Sequence, residues 1–154
     1  MPSLQEVGLA VKRLQWAHHR EANQRLAGVG LSLVQWDVLR HLAARPEASL
    51  HALAQLTFQT DQSMGELAGR MVRRGLLERV DGPGRAVRHR LTAEGDRARR
   101  AGADVVDSVF AGTIGTLDAD ELATLHRLLL RAAAGRDEKA ARLSDATNGT
   151  FVQT

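Results

Sequence analysis

The chain of 154 residues has no cysteine and no tyrosine, and aromatic residues make up only 3% of it. The lack of cysteine excludes disulfide bonds, thiolate catalysis and cysteine-based redox sensing. Alanine and leucine lead the helix scale, whereas strands favour aromatic and β-branched residues. Because so few aromatic residues are present, the core must consist mainly of Ala, Leu and Val, and we expect a helical fold.

Long apolar runs are also missing. No stretch approaches the roughly 18 apolar residues that a membrane span needs. The first ten residues lack the basic and apolar regions of a signal peptide. We therefore expect a cytoplasmic protein with no membrane partner.

Motifs for chemistry are scarce as well. The six histidines show no spacing typical of zinc ligands, so we expect no metal and no cofactor. We find no nucleophile motif and no glycine-rich phosphate loop after a strand. The sequence therefore indicates that the protein is not an enzyme.

Positive charge is concentrated in one segment. Residues 70–90 contain seven arginines against Glu78 and Asp81, a local charge of +5 in a chain whose net charge is +3. The rest of the chain is therefore net negative. A local basic stripe is what a nucleic-acid backbone attracts, although a solvated charged face is the alternative.

Helical periodicity and cap residues predict six helices. Ser32, Ser49 and Thr60 are the predicted caps of the second, third and fourth helices, and the sixth opens at Asp118. Beyond Gly135 the chain turns polar, so we expect a tail there. The predicted helices cover about residues 4–26, 33–44, 50–56, 61–74, 93–113 and 119–135.

Between the fourth and fifth helices the period changes to that of strands. Leu76–Val80 and Val87–Leu91 flank the turn sequence Asp81–Gly84, which predicts a hairpin. Val87, His89 and Leu91 alternate with Arg88 and Arg90, which predicts one covered face and one basic face. The order of elements is that of a helix-turn-helix with a wing. We therefore expect a mainly α fold with a small β-hairpin wing: a winged helix-turn-helix core with additional helices at both ends.

Four motifs, in order, resemble those of MarR family regulators. Gly30–Leu39 resembles the start of the second helix, and Ala54–Met64 resembles the helix-turn-helix. Gly75–Arg79 resembles the entry into the wing, and Leu91–Gly95 resembles its exit, "L-T-x-x-G". The resemblance implies one domain over residues 1–137. Its core spans about residues 31–92, its dimerisation helices about 4–27 and 93–135, and a polar tail follows at 138–154.

The resemblance also implies a function: an obligate homodimer that binds a palindromic operator in double-stranded DNA. Such a regulator usually acts as a repressor and often releases DNA when a small aromatic or phenolic effector binds. One departure concerns the wing tip, where many members carry Asp-Arg-Arg. This chain has Pro83-Gly84-Arg85, so only the last arginine is kept.

The predicted DNA contacts fall into two groups. A recognition helix presents its N-terminal side chains to base edges, and arginines position the protein on phosphates. Gln62 is suited to adenine and Glu66 to cytosine. The predicted DNA-binding residues are Thr60, Asp61, Gln62, Ser63, Glu66, Arg70, Arg73, Arg74, Arg79, Arg85 and Arg88.

A candidate effector site lies on the first two predicted helices. Trp16 and Arg20 are four residues apart, as are Asp37 and His41, so each pair shares a helix face. An aromatic wall with an arginine suits an aromatic carboxylate, although the same residues suit a packing or ion-pair role. The urate-responsive branch of the family is disfavoured, because Leu67 stands where that branch has an arginine.

The sequence also fits a second interpretation of the winged domain. Winged domains also bind proteins, so the alternative function is a winged-helix protein–protein interaction module without DNA binding. The arginine stripe favours DNA, because a protein-binding wing has little need for several phosphate-facing charges.

Overall fold

The computed structural model describes residues 1–81, 84 and 86–148, with side chains up to residue 136. The chain divides into two compact units, Met1–Phe110 and Ala111–Thr154. Six α-helices and one hairpin occupy the described residues: α1 (Leu4–Leu26), α2 (Leu33–Ala44), α3 (Leu50–Leu56), α4 (Asp61–Arg73), β1 (Leu77–Val80), β2 (Arg88–Leu91), α5 (Ala93–Ala111) and α6 (Ala119–Asn148). The expected mainly α fold with a hairpin wing is confirmed.

Side-chain caps fix the starts of the helices. Ser32 opens α2 by accepting from the Gln35 backbone N–H, and the Gln35 side chain accepts from the Ser32 N–H in return. Ser49 and Thr60 cap α3 and α4 through their hydroxyl groups. Each cap satisfies backbone donors that the first helical turn leaves unpaired. The cap residues predicted from the sequence at these three positions are confirmed.

The two strands form an antiparallel pair in which Leu77 faces Leu91 and Arg79 faces His89. His89 is buried on the inner face, while Arg88 and Arg90 are exposed. This matches the expected alternation of one covered and one basic face. Burial, and to a lesser degree the charge of Arg79, lowers the pKa of His89 below its ordinary value of 6.5. Its Nδ1 finds no hydrogen-bond partner among the described residues.

The base of the wing is closed where β2 meets α5. The Thr92 N–H donates to the Leu76 carbonyl, and the Thr92 hydroxyl donates to the Gly75 carbonyl and accepts from the Gly95 N–H. A Cβ on Gly95 would lie 2.0 Å from the Leu76 carbonyl oxygen. The L-T-x-x-G motif is therefore a packing motif: only glycine lets the start of α5 approach the strand this closely.

Trp36 joins α2 to α5 in the core of the first unit. Its indole Nε1 donates to the Arg99 carbonyl at 3.1 Å, and Arg40 lies over its ring. The indole occupies the space that a side chain at position 102 would need, since a Cβ on Gly102 would lie 2.3 Å from it. One buried cluster continues from here through Leu39, Met64, Met71 and Leu77.

The second unit contains α6, which begins at an Asp118–Glu121 capping box. The helix continues to Asn148, past the boundary near residue 135 expected from the polar composition. An isolated glycine costs a helix only about 1 kcal/mol, and the sequence after Gly135 is rich in helix formers. No described side chain from residue 111 to 136 is buried. Within the described residues, no helix is long and apolar enough to cross a membrane.

Candidate nucleic-acid interface

The recognition helix α4 is amphipathic. Met64, Leu67, Ala68 and Met71 form its buried stripe, at the spacing of one helix face. The opposite face carries Gln62, Glu66, Arg70 and Arg73, all exposed. Because packing fixes one face of α4, the other is held in a defined orientation toward solvent. Leu67, which stands where the urate-responsive branch of the family has an arginine, is buried in the core.

The N-terminal end of α4 is organised by hydrogen bonds. The Thr60 hydroxyl accepts from the Ser63 N–H at 3.1 Å and donates to the Ser63 hydroxyl at 3.0 Å. Asp61 pairs with His51 of α3, with 2.8 Å between Nδ1 and Oδ1. The pairing neutralises the acid when His51 is protonated. This polar end of the helix is exposed.

Two further polar side chains are coupled one turn along. The Gln62 amide nitrogen lies 3.5 Å from Glu66 Oε1. A glutamine pairs with adenine through both the nitrogen and the oxygen of its side-chain amide, whereas a glutamate accepts from cytosine N4. The contact therefore couples the two predicted base contacts: Gln62 would have to give up its bond to Glu66 in order to pair with an adenine.

The structure describes five of the six arginines that were predicted to contact DNA. Arg70, Arg73, Arg79 and Arg88 are exposed and have no ion-pair partner in the part of the chain that is described. Arg85 lies outside the described residues. Arg90, which was not among the predicted contacts, pairs with Glu78 across the hairpin. The basic charge that remains for phosphates thus lies on α4 and the two strands.

Arg74 differs from its neighbours because its guanidinium is already committed. It donates to the Gly30 carbonyl at 2.5 Å and to the Gln35 side chain at 3.3 Å. These bonds join the end of α4 to the start of α2. The geometry favours a structural role for Arg74 over the predicted contact with phosphate.

The candidate effector residues are placed in two separate groups. Trp16 and Arg20 lie on an open, exposed surface of α1, together with Ala17, Glu21, Gln24 and Arg25. Trp16 is 60% exposed and stacks on His19, with 6.1 Å between the ring centroids. An aromatic ring and an arginine on one helix surface match the chemistry of an aromatic carboxylate.

Asp37 and His41 are not among the residues of this α1 surface. Asp37 instead pairs with Arg40 at 2.8 Å, and Arg40 also approaches the His41 ring. Burial and the charge of Arg40 lower the pKa of His41. A neutral imidazole attracts a carboxylate weakly, so this pair suits a structural role better than an anion site. No group of acidic and histidine side chains that could hold a metal occurs in the described ranges.

Sequence reasoning missed two residues near the recognition helix. His51 pairs with Asp61 from a different helix, and no local spacing in the sequence indicates such a contact. Phe58 is 93% exposed in the turn before α4, with a positive φ of 57°. A bulky apolar residue in a polar turn was the signal that could have drawn attention to Phe58.

The fold and the interface define a winged helix-turn-helix protein. The sequence model of the MarR family matches residues 29–86. The chain is 32% identical over 93 residues to the transcriptional regulator HosA of Escherichia coli O111:H-, a match that covers 59% of this chain and 69% of HosA.

Two solved structures share the fold. One is a MarR family protein of Mycobacterium tuberculosis in complex with salicylic acid, with a TM-score of 0.68, 25% identity and coverage of 86% of this chain and 97% of that one. The other is a mutant MarR from E. coli complexed with operator DNA, with a TM-score of 0.72, 22% identity and coverage of 82% and 92%. The chain belongs to the MarR family, whose members are transcriptional regulators and not enzymes.

Proposed function

We propose that the protein is a homodimeric, sequence-specific DNA-binding regulator that represses transcription from a palindromic operator and responds to a small aromatic effector. The observation that carries the proposal is the exposed N-terminal end of α4, flanked by the unpaired arginines of α4 and the hairpin. A recognition helix and a basic wing are what major-groove reading and phosphate contact require. The operator-bound structure of similar fold supports this use of the surface.

The test of DNA binding is a titration of fluorescent duplex from upstream of the protein's own gene, with unrelated duplex as control. We expect a clear preference for one site. If about six phosphates are neutralised per dimer, the logarithm of affinity should fall with the logarithm of salt with a slope of roughly −5. A flat salt response would refute the assignment of the basic face, and a protein without any DNA preference would favour the protein-interaction alternative.

Matched arginine variants sharpen this test. Arg79 and Arg88 are exposed and unpaired among the described residues, whereas Arg90 is paired with Glu78. Each R79A or R88A change should flatten the salt slope by about 2 per dimer, since each protomer loses one phosphate contact. R90A is the control and should change the slope less.

Dimerisation is supported by apolar surface that the chain itself leaves uncovered. In α6, Leu122, Leu128 and Leu129 are exposed, and in α1 Val7 and Val11 are exposed at helical spacing. A helix with an apolar stripe needs a partner surface to bury it. Paired recognition helices also require a dimer, since they must lie about 34–36 Å apart to meet successive major grooves.

The oligomeric state is tested with two variants of adjacent residues. On a helical projection, Leu129 lies within the α6 stripe and Leu130 lies about 100° away from it. L129D should shift the protein from dimer to monomer in light scattering at micromolar concentration, while L130D should leave the dimer intact. A wild-type protein that is monomeric would refute the proposed dimer.

The effector site is supported by the exposed surface of α1 that carries Trp16 and Arg20 side by side. Its chemistry resembles that needed for salicylic acid, the ligand in the similar structure from M. tuberculosis. Titration with salicylate should quench the fluorescence of exposed Trp16 and weaken DNA binding. R20M should abolish both effects, and W16F should remove the optical signal, because the other tryptophan, Trp36, is buried. No change at millimolar salicylate would refute this site.

A further inference from the structure

The turn between α3 and α4 contains a residue that the proposed function does not use. Phe58 is 93% exposed and has a φ of 57°. Left-handed backbone is uncommon outside glycine and asparagine, and it strains the backbone of other residues. Phe58 therefore carries two costs, one from its backbone and one from its exposed ring.

Neither cost is needed to build the turn. The turn is closed by backbone bonds: the Phe58 N–H donates to the Gln55 carbonyl, and the Gln59 N–H donates to the Ala54 carbonyl. Buried Thr57 supplies the packing contact, with its hydroxyl bonded to the Leu53 carbonyl. Glycine at position 58 would make the same backbone bonds without strain. The ring is therefore explained neither by the turn nor by the core.

The place of Phe58 in the fold points to what covers it. The residue is two positions before Thr60, the cap of the recognition helix, so the ring is exposed at the end of α4 that would enter the groove. The neighbouring side chains Gln59, Asp61 and Gln62 are polar and exposed. A backbone strained to present an apolar ring at a binding surface is the situation in which strain indicates function.

We propose that Phe58 is a specificity-determining residue that contacts the C5-methyl group of a thymine in the operator. In the major groove only thymine presents a C5-methyl group, and apolar side chains including phenylalanine recognise it. The other exposed side chains at this end of α4 recognise bases through hydrogen bonds, so the ring adds the one contact type that they lack. The inference rests on the proposed DNA-binding function.

Two substitutions separate the role of the ring from that of the backbone. F58G removes the ring and relieves the left-handed strain, so it should raise the melting temperature while weakening operator binding about tenfold. F58A removes the ring and keeps the strain, so it should weaken binding equally without the gain in stability. An F58G variant that is more stable but binds the operator more weakly would not be expected if Phe58 only supported the fold.

The thymine is identified by replacing each thymine of the bound half-site in turn with deoxyuridine, which removes only the methyl group. One replacement should weaken wild-type binding and leave F58G unaffected. Binding to unrelated duplex, and the slope of affinity against salt, should be the same for both proteins, because the ring contacts no phosphate.

The outcomes distinguish this inference from the proposed function. A wild-type protein that prefers no DNA sequence refutes the proposed function itself. A wild-type protein that binds its site, together with an F58G variant that binds equally well, refutes only the role of Phe58. A loss that is equal on operator and unrelated duplex, or the lack of any methyl-sensitive position, also refutes it.

Discussion

Replacing Gly95 with alanine should strongly destabilise the first unit. The new Cβ would lie 2.0 Å from the Leu76 carbonyl oxygen, about 1 Å closer than real Cβ contacts allow. The start of α5 and the end of the hairpin must therefore move apart. The same Leu76 carbonyl accepts from the Thr92 N–H, so the movement also strains the hydrogen bonds that close the wing.

The magnitude follows from three terms. Overpacking costs about 1–3 kcal/mol, and each weakened hydrogen bond adds about 1 kcal/mol. The better helix propensity of alanine returns up to about 1 kcal/mol. We therefore expect G95A to lower the free energy of unfolding by about 3 kcal/mol. For a domain of this size, that corresponds to a melting temperature lower by about 6–12 °C.

The assay is urea denaturation followed by circular dichroism, with G65A as the matched control. Gly65 also lies inside a helix, but a Cβ there would meet only Leu50, at an ordinary 3.9 Å. G65A should therefore be as stable as the wild type or more stable by up to about 1 kcal/mol. A G95A protein that unfolds at the wild-type urea concentration would refute the steric argument.

Three further predictions concern single side chains. R74M should lower the free energy of unfolding by about 1 kcal/mol and leave the salt slope of DNA binding unchanged, since Arg74 bonds to Gly30 and Gln35; a flatter slope would show that it contacts phosphate. The pKa of His89 is lowered in the folded state, so the unfolded chain takes up the proton first and stability should fall as pH drops below about 6.5. H89L should reduce this dependence in unfolding curves measured between pH 5 and 7, leaving the contribution of His41; an unchanged pH profile would contradict the assignment. W36F should cost about 1–2 kcal/mol in thermal unfolding, because it loses the bond to the Arg99 carbonyl, and a neutral effect would contradict that role.

The local features of the fold were predictable because they are encoded in neighbouring residues. The caps at Ser32 and Thr60 and the alternation around His89 each follow from a spacing within one element. The end of α6 was not predictable, because a polar helix gives no periodic signal and a single glycine only weakly disfavours a helix.

The candidate interface was predictable only in outline. The exposed face of α4 follows from its periodicity, but the use of each arginine depends on residues far away in the chain. Arg74 is bonded to Gly30, 44 residues away, and Arg90 to Glu78 across the hairpin. The requirement for glycine at position 95 likewise depends on a distant residue, since the Leu76 carbonyl leaves no space there for a Cβ. Such pairings arise from tertiary packing, which a single sequence does not reveal.

The bond between Arg74 and Gly30 gives the molecule a mechanical link. Gly30 ends the segment that leads out of α1, and Arg74 caps the far end of the recognition helix. If binding of the proposed effector tilts α1, the Arg74 guanidinium either moves α4 with Gly30 or loses its bond to the Gly30 carbonyl. In both cases, effector binding on α1 would change the orientation or the mobility of α4 without direct contact between effector and DNA.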